Sequence, residues 1–469
     1  MWRLFCFLSK KNEFYLVLKN LLTNICLIKI IEYAKINSNK CLSNFLKRRI
    51  LMHPDYSDVP SDQILCVDMK SFYASIELVR RKIHPLKGFL AVIGDKNRKG
   101  SVVLAASAAL KKKYGIKTAD RLFQIPEQDE IILAEANMEL YLDISMKITK
   151  IFSNYLPLEA IHIYSIDEAW LKLNGSQKKY GDSFELAIKI KKEIWEKYKI
   201  PCSMGIGPNM FMAKVAMDNE GKKTGLCRWD YNDISDKLWP LKLSDCWGIG
   251  SRTKKKLNKI GVYTIGELAH LPLEYLENKF GIIGNQLYYH AWGIDYSKLE
   301  GHFNDTKKAV GRGITLYSDY SEIEAIKTVI FNLAEEVGKR VRKNNLKGKT
   351  VSLALGYSKK EIKKGFSRQL SLEKETDMTK DIFQTAVVIL NRHYQGEKVR
   401  KISLYLANFI ESNYRQLNLF RNDFKKAEIN QIRDQLAQKM GKDVLYYARN
   451  LEKGNIKERI ENTIGGHRK

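Results

Sequence analysis

Residues 161–173, I-H-I-Y-S-I-D-E-A-W-L-K-L, are rich in strand formers and are interrupted by two adjacent acids, Asp167 and Glu168. Ile161, Ile163 and Ser165 fall on one face; His162, Tyr164 and Ile166 fall on the other. This alternation predicts a strand, a tight turn at the acids and a returning strand. A third acid, Asp68, stands in I-L-C-V-D-M-K-S-F-Y-A-S. Apolar residues lead into it as a buried strand over 64–68, and a helical pattern follows over 71–80.

The same reading continues along the chain. Strand-like runs at 89–94 and 101–106 flank the polar turn D-K-N-R-K-G, and a lysine-rich helix at 108–114 is stopped by Gly115. Helical periodicity covers 135–155 and 183–198. A strand at 202–206 then leads through G-P-N to a helix capped by Asn209. The order β-α-β-β-α-β, with the acids on central strands, predicts a ferredoxin-like split βαβ. A second βαββαβ order spans strands at 311–316, 350–357, 368–372 and 399–406 and helices at 322–343 and 380–393. It lacks paired acids and reads as a binding platform. Arg312, Lys359, Lys360, Lys363, Lys364 and Arg368 supply its positive charge.

Adjacent acids are costly unless something positive binds them. Carboxylate sites on neighbouring strands suit two divalent cations about 4 Å apart, the arrangement for in-line phosphoryl transfer. Charge sharpens this picture. The 469 residues hold 80 Lys+Arg against 53 Asp+Glu, a formal charge of +27. That excess favours a polyanionic partner. The seven cysteines form no C-x-x-C pair and read as free thiols of a reducing cytoplasm. No apolar run reaches the roughly 20 residues of a membrane span, so no stable membrane association is expected. Residues 1–51 have a different texture. They read either as an amphipathic membrane-surface helix or as an extension from a mis-assigned start; the second is preferred, because Met52 opens the polar lead-in to the first strand.

Between the two α/β regions lies D-C-W-G-I-G-S-R-T-K-K-K-L. A G-I-G turn between helices, followed by basic residues, is a helix-hairpin-helix signal. The amides of Gly248, Ile249 and Gly250 suit a DNA phosphate.

Taken together, C-V-D-M-K-S-F-Y-A-S, Y-S-I-D-E-A-W-L, M-G-I-G-P-N-M-F-M-A-K-V-A-M-D and W-G-I-G resemble the motifs of Y-family translesion DNA polymerases. The UmuC-like branch of Gram-positive bacteria (the ImpB/MucB/SamB family) is the closest in pattern, over about residues 64–420. The resemblance implies an α+β right-hand polymerase with a ferredoxin-like palm (62–71 and 139–221) and small fingers (72–138). A helix-hairpin-helix thumb (222–298), a linker (299–309), an α/β little finger (310–412) and a tail (413–469) complete it. It implies low-fidelity, template-directed DNA synthesis from dNTPs on a primer–template in DNA repair or the SOS response, by a protein that can act as a monomer.

By position, the resemblance makes Asp68, Asp167 and Glu168 the catalytic carboxylates. With the Met69 carbonyl they would hold two Mg²⁺ ions. Tyr73 is the steric gate against a 2′-hydroxyl, with Phe72 beside it. Lys214 and one lysine of Lys111, Lys112 and Lys113, taken as Lys112, contact the triphosphate. Many members carry a Tyr where this chain has Ala109, and Ser107 is the expected substitute hydroxyl. Arg312 is expected on the DNA backbone. Gln416, Leu417, Leu419 and Phe420, in Q-L-N-L-F, resemble the peptide that binds the bacterial sliding clamp. The alternative from a different class is a non-catalytic DNA- or clamp-binding regulator of replication.

Overall fold

The computed structural model describes residues 56–299, 308–411, 423–440, 445–464 and 467–468. The extension at 1–51 and the peptide at 416–420 lie outside these residues. The chain divides into two compact units, one of residues 1–70 and 148–300, the other of 71–147 and 301–469.

The elements of the core region, in chain order, are β1 (Ile64–Met69), α1 (Phe72–Arg80), β2 (Leu90–Ile93), β3 (Val103–Ala106), α2 (Ala108–Tyr114), β4 (Ile132–Glu135), α3 (Met138–Tyr155), β5 (Ile161–Ile163), β6 (Glu168–Lys172), α4 (Ser183–Tyr198), β7 (Cys202–Gly207), α5 (Met210–Ala216) and β8 (Leu226–Arg228). In the first unit the strands form one sheet in the order β5-β6-β1-β7-β8. Setting β8 aside, this is the strand order of a ferredoxin-like βαββαβ. The β5–β6 hairpin forms as its alternation predicts, with Ile161 opposite Leu171.

α5 crosses one face of this sheet at close range. A Cβ on Gly205 would stand 2.5 Å from the Ala213 carbonyl oxygen, and one on Gly207 would stand 2.5 Å from the Ala213 amide. The two glycines of M-G-I-G are therefore what lets the helix lie on the strand. Asn209 caps α5 by accepting from the Met212 amide at 2.9 Å, and its own amide donates to the Gly293 carbonyl at 2.7 Å. Ile64, Cys66 and Trp170 share a core cluster with Ala213 and Met217. Asp68 follows Ile64 and Cys66 at period two, so it lies on the face that α5 covers.

The same unit continues into helices α6 (Ser251–Asn258), α7 (Ile265–Ala269), α8 (Leu273–Phe280) and α9 (Ile282–Ala291). The element before G-I-G is a 3₁₀ turn, Leu243–Asp245, where the sequence predicted a helix. The Leu243 amide donates to the Tyr263 carbonyl at 3.0 Å, which holds this segment extended against 263–264.

In the second unit, β2, β3 and β4 form a three-stranded sheet in the order β3-β2-β4. β4 was not predicted: its four residues run almost directly into α3, and periodicity merges the two. Beyond the linker come β9 (Ala309–Tyr320), α10 (Ile323–Lys343), β10 (Leu346–Tyr357), β11 (Gly365–Thr376), α11 (Thr379–His393), β12 (Val399–Glu411), α12 (Asp423–Met440) and α13 (Lys457–Glu461). The sheet order here is β11-β10-β12-β9. The element order of the first sheet recurs, but its strand order does not. The buried residues of β9, β10 and β12 pack with Ile326, Val329, Ile330 and Leu333 of α10. No helix among the described residues is long and apolar enough to cross a membrane.

Candidate active site

β1 and β6 pair antiparallel, and the register sets Asp68 opposite Glu168. The Met69 amide donates to the Asp167 carbonyl at 2.9 Å, locking the turn onto the strand end. The Asp167 carboxylate accepts from the Ser165 hydroxyl at 2.7 Å. Asp68 and Glu168 come within hydrogen-bonding reach of each other. Burial, then that contact, pushes the Asp68 carboxyl up to about 7, against the pull of Lys222. Two carboxylates this close cannot both ionise without a cation.

Three charged residues from α5 and its continuation serve the pair. Lys214 is buried, ion-paired to Glu168, and 3.5 Å from Asp218. Burial opposes its charge, yet Glu168 and Asp218 hold its ammonium above the ordinary lysine value. After Ala216 the helix widens into a π turn, Met217–Gly221. Lys222 then stands 3.9 Å from Asp68 and 2.7 Å from Asp218. Sequence reasoning missed Asp218 and Lys222. Their signal was present: Lys214, Asp218 and Lys222 recur every four residues, which puts them on one helical face.

The donor set suits a hard divalent cation. It offers the carboxylate oxygens of Asp68 and Glu168, hard donors of the kind such a cation takes. Among the described residues, no three His, Cys, Asp or Glu side chains converge as a ready metal cage. Asp68 and Glu168 meet, while Asp167 is turned to Ser165.

In the second unit the Tyr73 ring stacks on Tyr141, centroids 4.4 Å apart and planes 14° from parallel. Tyr141 is fully buried, and its hydroxyl donates to Glu77 at 3.1 Å. Glu77, itself buried, is ion-paired to Arg81. Tyr73 is thus backed by a fixed wall. Phe72 is 2% exposed and belongs to the core, not to a nucleotide surface.

Ser107 cannot supply the phosphate contact expected of it. It is fully buried at the N-cap of α2, donates to the Gly88 carbonyl at 2.7 Å, and accepts from the Leu90 and Leu110 amides. The three lysines of α2 separate cleanly. Lys111 donates to the Ser71 hydroxyl at 3.0 Å, and Lys113 pairs with Glu130 at 2.5 Å. Lys112 is exposed and forms no ion pair among the described residues.

Gly248 has φ 91°, a value that glycine tolerates. A Cβ on Gly250 would meet nothing within 4 Å. Glycine there is not demanded by packing. Arg312 differs from expectation. It falls in step, at period two, with the buried Val310, Ile314 and Leu316, so it projects from the α10-covered face of its sheet. There it donates to the Thr463 hydroxyl at 2.6 Å, and burial lowers its proton affinity. That direction is away from the open face expected to meet DNA.

Three family models match the chain. The impB/mucB/samB family covers residues 67–218, its helix-hairpin-helix motif 231–262, and its C-terminal domain 307–419. The putative UV-damage repair protein UvrX of Bacillus subtilis is 42% identical, over 88% of this chain and 99% of its own. DNA polymerase IV 2 of the same organism is 36% identical, over 87% and 98%. A Y-family DNA polymerase chimera of known structure superposes with a TM-score of 0.62 at 23% identity, covering 74% of this chain and 99% of its own. That likeness shows the fold. With the ordered motifs and the opposed carboxylates, these matches make the chain a member of the impB/mucB/samB family of Y-family DNA polymerases.

Proposed function

We infer that the protein is a DNA-directed DNA polymerase that extends a primer 3′-hydroxyl with dNTPs and serves translesion synthesis in DNA repair. The observation that carries this is the Asp68–Glu168 opposition beneath α5, in a chain aligned nearly end to end with relatives named DNA polymerase IV.

Family polymerases depend on metal. Here Asp68, Asp167 and Glu168, with the Met69 carbonyl, would hold two Mg²⁺ ions. When bound, these supply a more acidic primer hydroxyl and charge neutralisation on the pyrophosphate. The chain's own residues do the rest. Lys214 and Lys222 keep the carboxylates compensated before substrate arrives. Lys214 then has a triphosphate oxygen as an alternative partner to Glu168, and Lys112 binds the same anion. Tyr73, five residues beyond Asp68 and stiffened by Tyr141, meets C2′ of the sugar and leaves no room for a 2′-hydroxyl. Gly248, Ile249 and Gly250 hold a DNA phosphate through main-chain amides, which carry no sequence preference.

Residues 416–420 tether the protein to the sliding clamp. The buried free thiols Cys66, Cys202, Cys227 and Cys246 fit a cytoplasmic protein. A non-catalytic regulator would not need the complete carboxylate set. Primer extension on undamaged and lesion-bearing templates tests the reading. Template-directed dNTP addition that continues past the lesion supports it. A chain that binds primed DNA yet adds no nucleotide with Mg²⁺ present contradicts it.

A further inference from the structure

The first turn of α5 is held by a segment far along the chain. α9 ends at Ala291, the chain turns at Gly293 with φ 69°, and the residues that follow meet the start of α5. One Asp295 oxygen accepts from the Phe211 amide at 3.3 Å, although Phe211 lies 84 residues earlier. The other accepts from the Ser297 amide at 2.9 Å. The Trp170 ring nitrogen donates to the Met210 carbonyl at 3.0 Å, so the residue before Phe211 is fixed as well.

Asp295 is a buried anion, 6% exposed. Burial raises its carboxyl, yet the His290 ring, the Ser297 hydroxyl and the Ser297 amide together hold it below the ordinary aspartate value. The His290 Nε2 stands 3.9 Å away, and the His290 ring stacks on Phe211, centroids 4.2 Å apart and planes 23° from parallel. Acid, imidazole and helix start form one packed group.

A buried charge is costly where a neutral side chain would serve. Asn209 already caps α5 through the Met212 amide. A helix of seven residues does not need a second, charged cap for its end groups alone. What α5 carries is Lys214, three residues beyond Phe211 and so about 4.5 Å along its axis. Gly205 and Gly207 let α5 touch β7, but bare glycines give no side chain to stop it sliding along the strand. The stop has to come from the end of the helix. Lys214 must meet Glu168 and a triphosphate oxygen at hydrogen-bond distance, where a slip of about 1 Å is costly.

We propose that Asp295 is a positioning residue for nucleotide binding: by fixing the Phe211 amide it sets where α5 lies along β7, and so puts Lys214 within reach of Glu168 and the triphosphate while touching neither. This rests on the polymerase reading, with Lys214 as a triphosphate contact, and adds to it a residue from beyond α9.

The test is single-nucleotide incorporation by the full chain on primed DNA with Mg²⁺, as a function of dNTP concentration. It compares wild type, Asp295→Asn, Lys214→Met and the double variant. Asparagine keeps the size of aspartate but has one acceptor oxygen for the two amides. Asp295→Asn should raise the dNTP concentration for half-maximal rate about tenfold and leave affinity for primed DNA unchanged. In the Lys214→Met background the same substitution should have an effect of less than about twofold, because the contact it positions is gone. Melting curves place every assay below the unfolding transition. Asp295→Ser, smaller and also neutral, carries the same expectations should Asp295→Asn not fold. An equal effect in both backgrounds, a loss of DNA affinity in place of the dNTP shift, or a lowered melting temperature with unchanged kinetics overturns the proposal. A wild-type chain that adds no nucleotide overturns the polymerase reading, and the role of Asp295 with it.

Discussion

At Asp68, burial and then the facing Glu168 push the carboxyl up to about 7, and Lys222 only partly offsets them. Lys214 holds the other side of the pair from beneath α5. Lys214→Met would leave Glu168 with no ion-pair partner while removing a triphosphate contact. We expect the rate of single-nucleotide incorporation to fall about tenfold to a hundredfold, as for a lost charge-assisted contact of 1.5–3 kcal/mol. Rapid-quench kinetics check this. Tyr73→Ala should raise ribonucleotide incorporation relative to dNTPs. Tyr141→Leu should do so in part, because the stacked ring that fixes Tyr73 is gone. Parallel dNTP and rNTP titrations would show a shared loss of rate, without a change of ratio, if Tyr73 were merely core. The carboxylates were legible because strand alternation and a turn leave few places for acids. Arg312 was misplaced although the same alternation, counted from Val310, puts it on the covered face. Ser107 was misread because a hydroxyl before a helix is a cap first.

The critical element is α5 against β7. Gly205 and Gly207 allow backbone contact there, and any Cβ must push the helix away. Gly207→Ala should cost about 1–3 kcal/mol of stability, by analogy with overpacked cores. Urea denaturation measures it. Residual activity should fall further than stability alone explains, because Lys214 moves with the helix. An unchanged midpoint would mean that the strand and helix are not tightly apposed. Most elements were legible from periodicity, including both βαββαβ orders. Two kinds were not. β4 is too short to stand apart from the helix that follows it. The π turn at Met217–Gly221 changes the residues per turn without a sequence breaker, so it was not predicted. Sheet order was also beyond the sequence: similar element orders give β5-β6-β1-β7-β8 in one unit and β11-β10-β12-β9 in the other.

The molecule as a whole is strongly cationic, with a formal charge of +27. Binding to primed DNA should weaken by about 10³-fold or more between 50 and 200 mM salt if six or more phosphates are contacted. A nearly flat salt dependence would argue that the excess charge serves something else. Substituting Leu419 and Phe420 by alanine should abolish stimulation by the sliding clamp and leave clamp-free extension unchanged. Stimulation that persists would remove the peptide from the account. The central claim is nucleotidyl transfer at the opposed carboxylates. Single-turnover addition of one complementary dNTP, by wild type and by Asp68→Asn and Glu168→Gln, tests it most directly, with DNA affinity measured on the same preparations. The account predicts template-directed addition by the wild-type chain, and a fall of about a thousandfold in each variant with DNA still bound. Variants that extend the primer at the wild-type rate would contradict it.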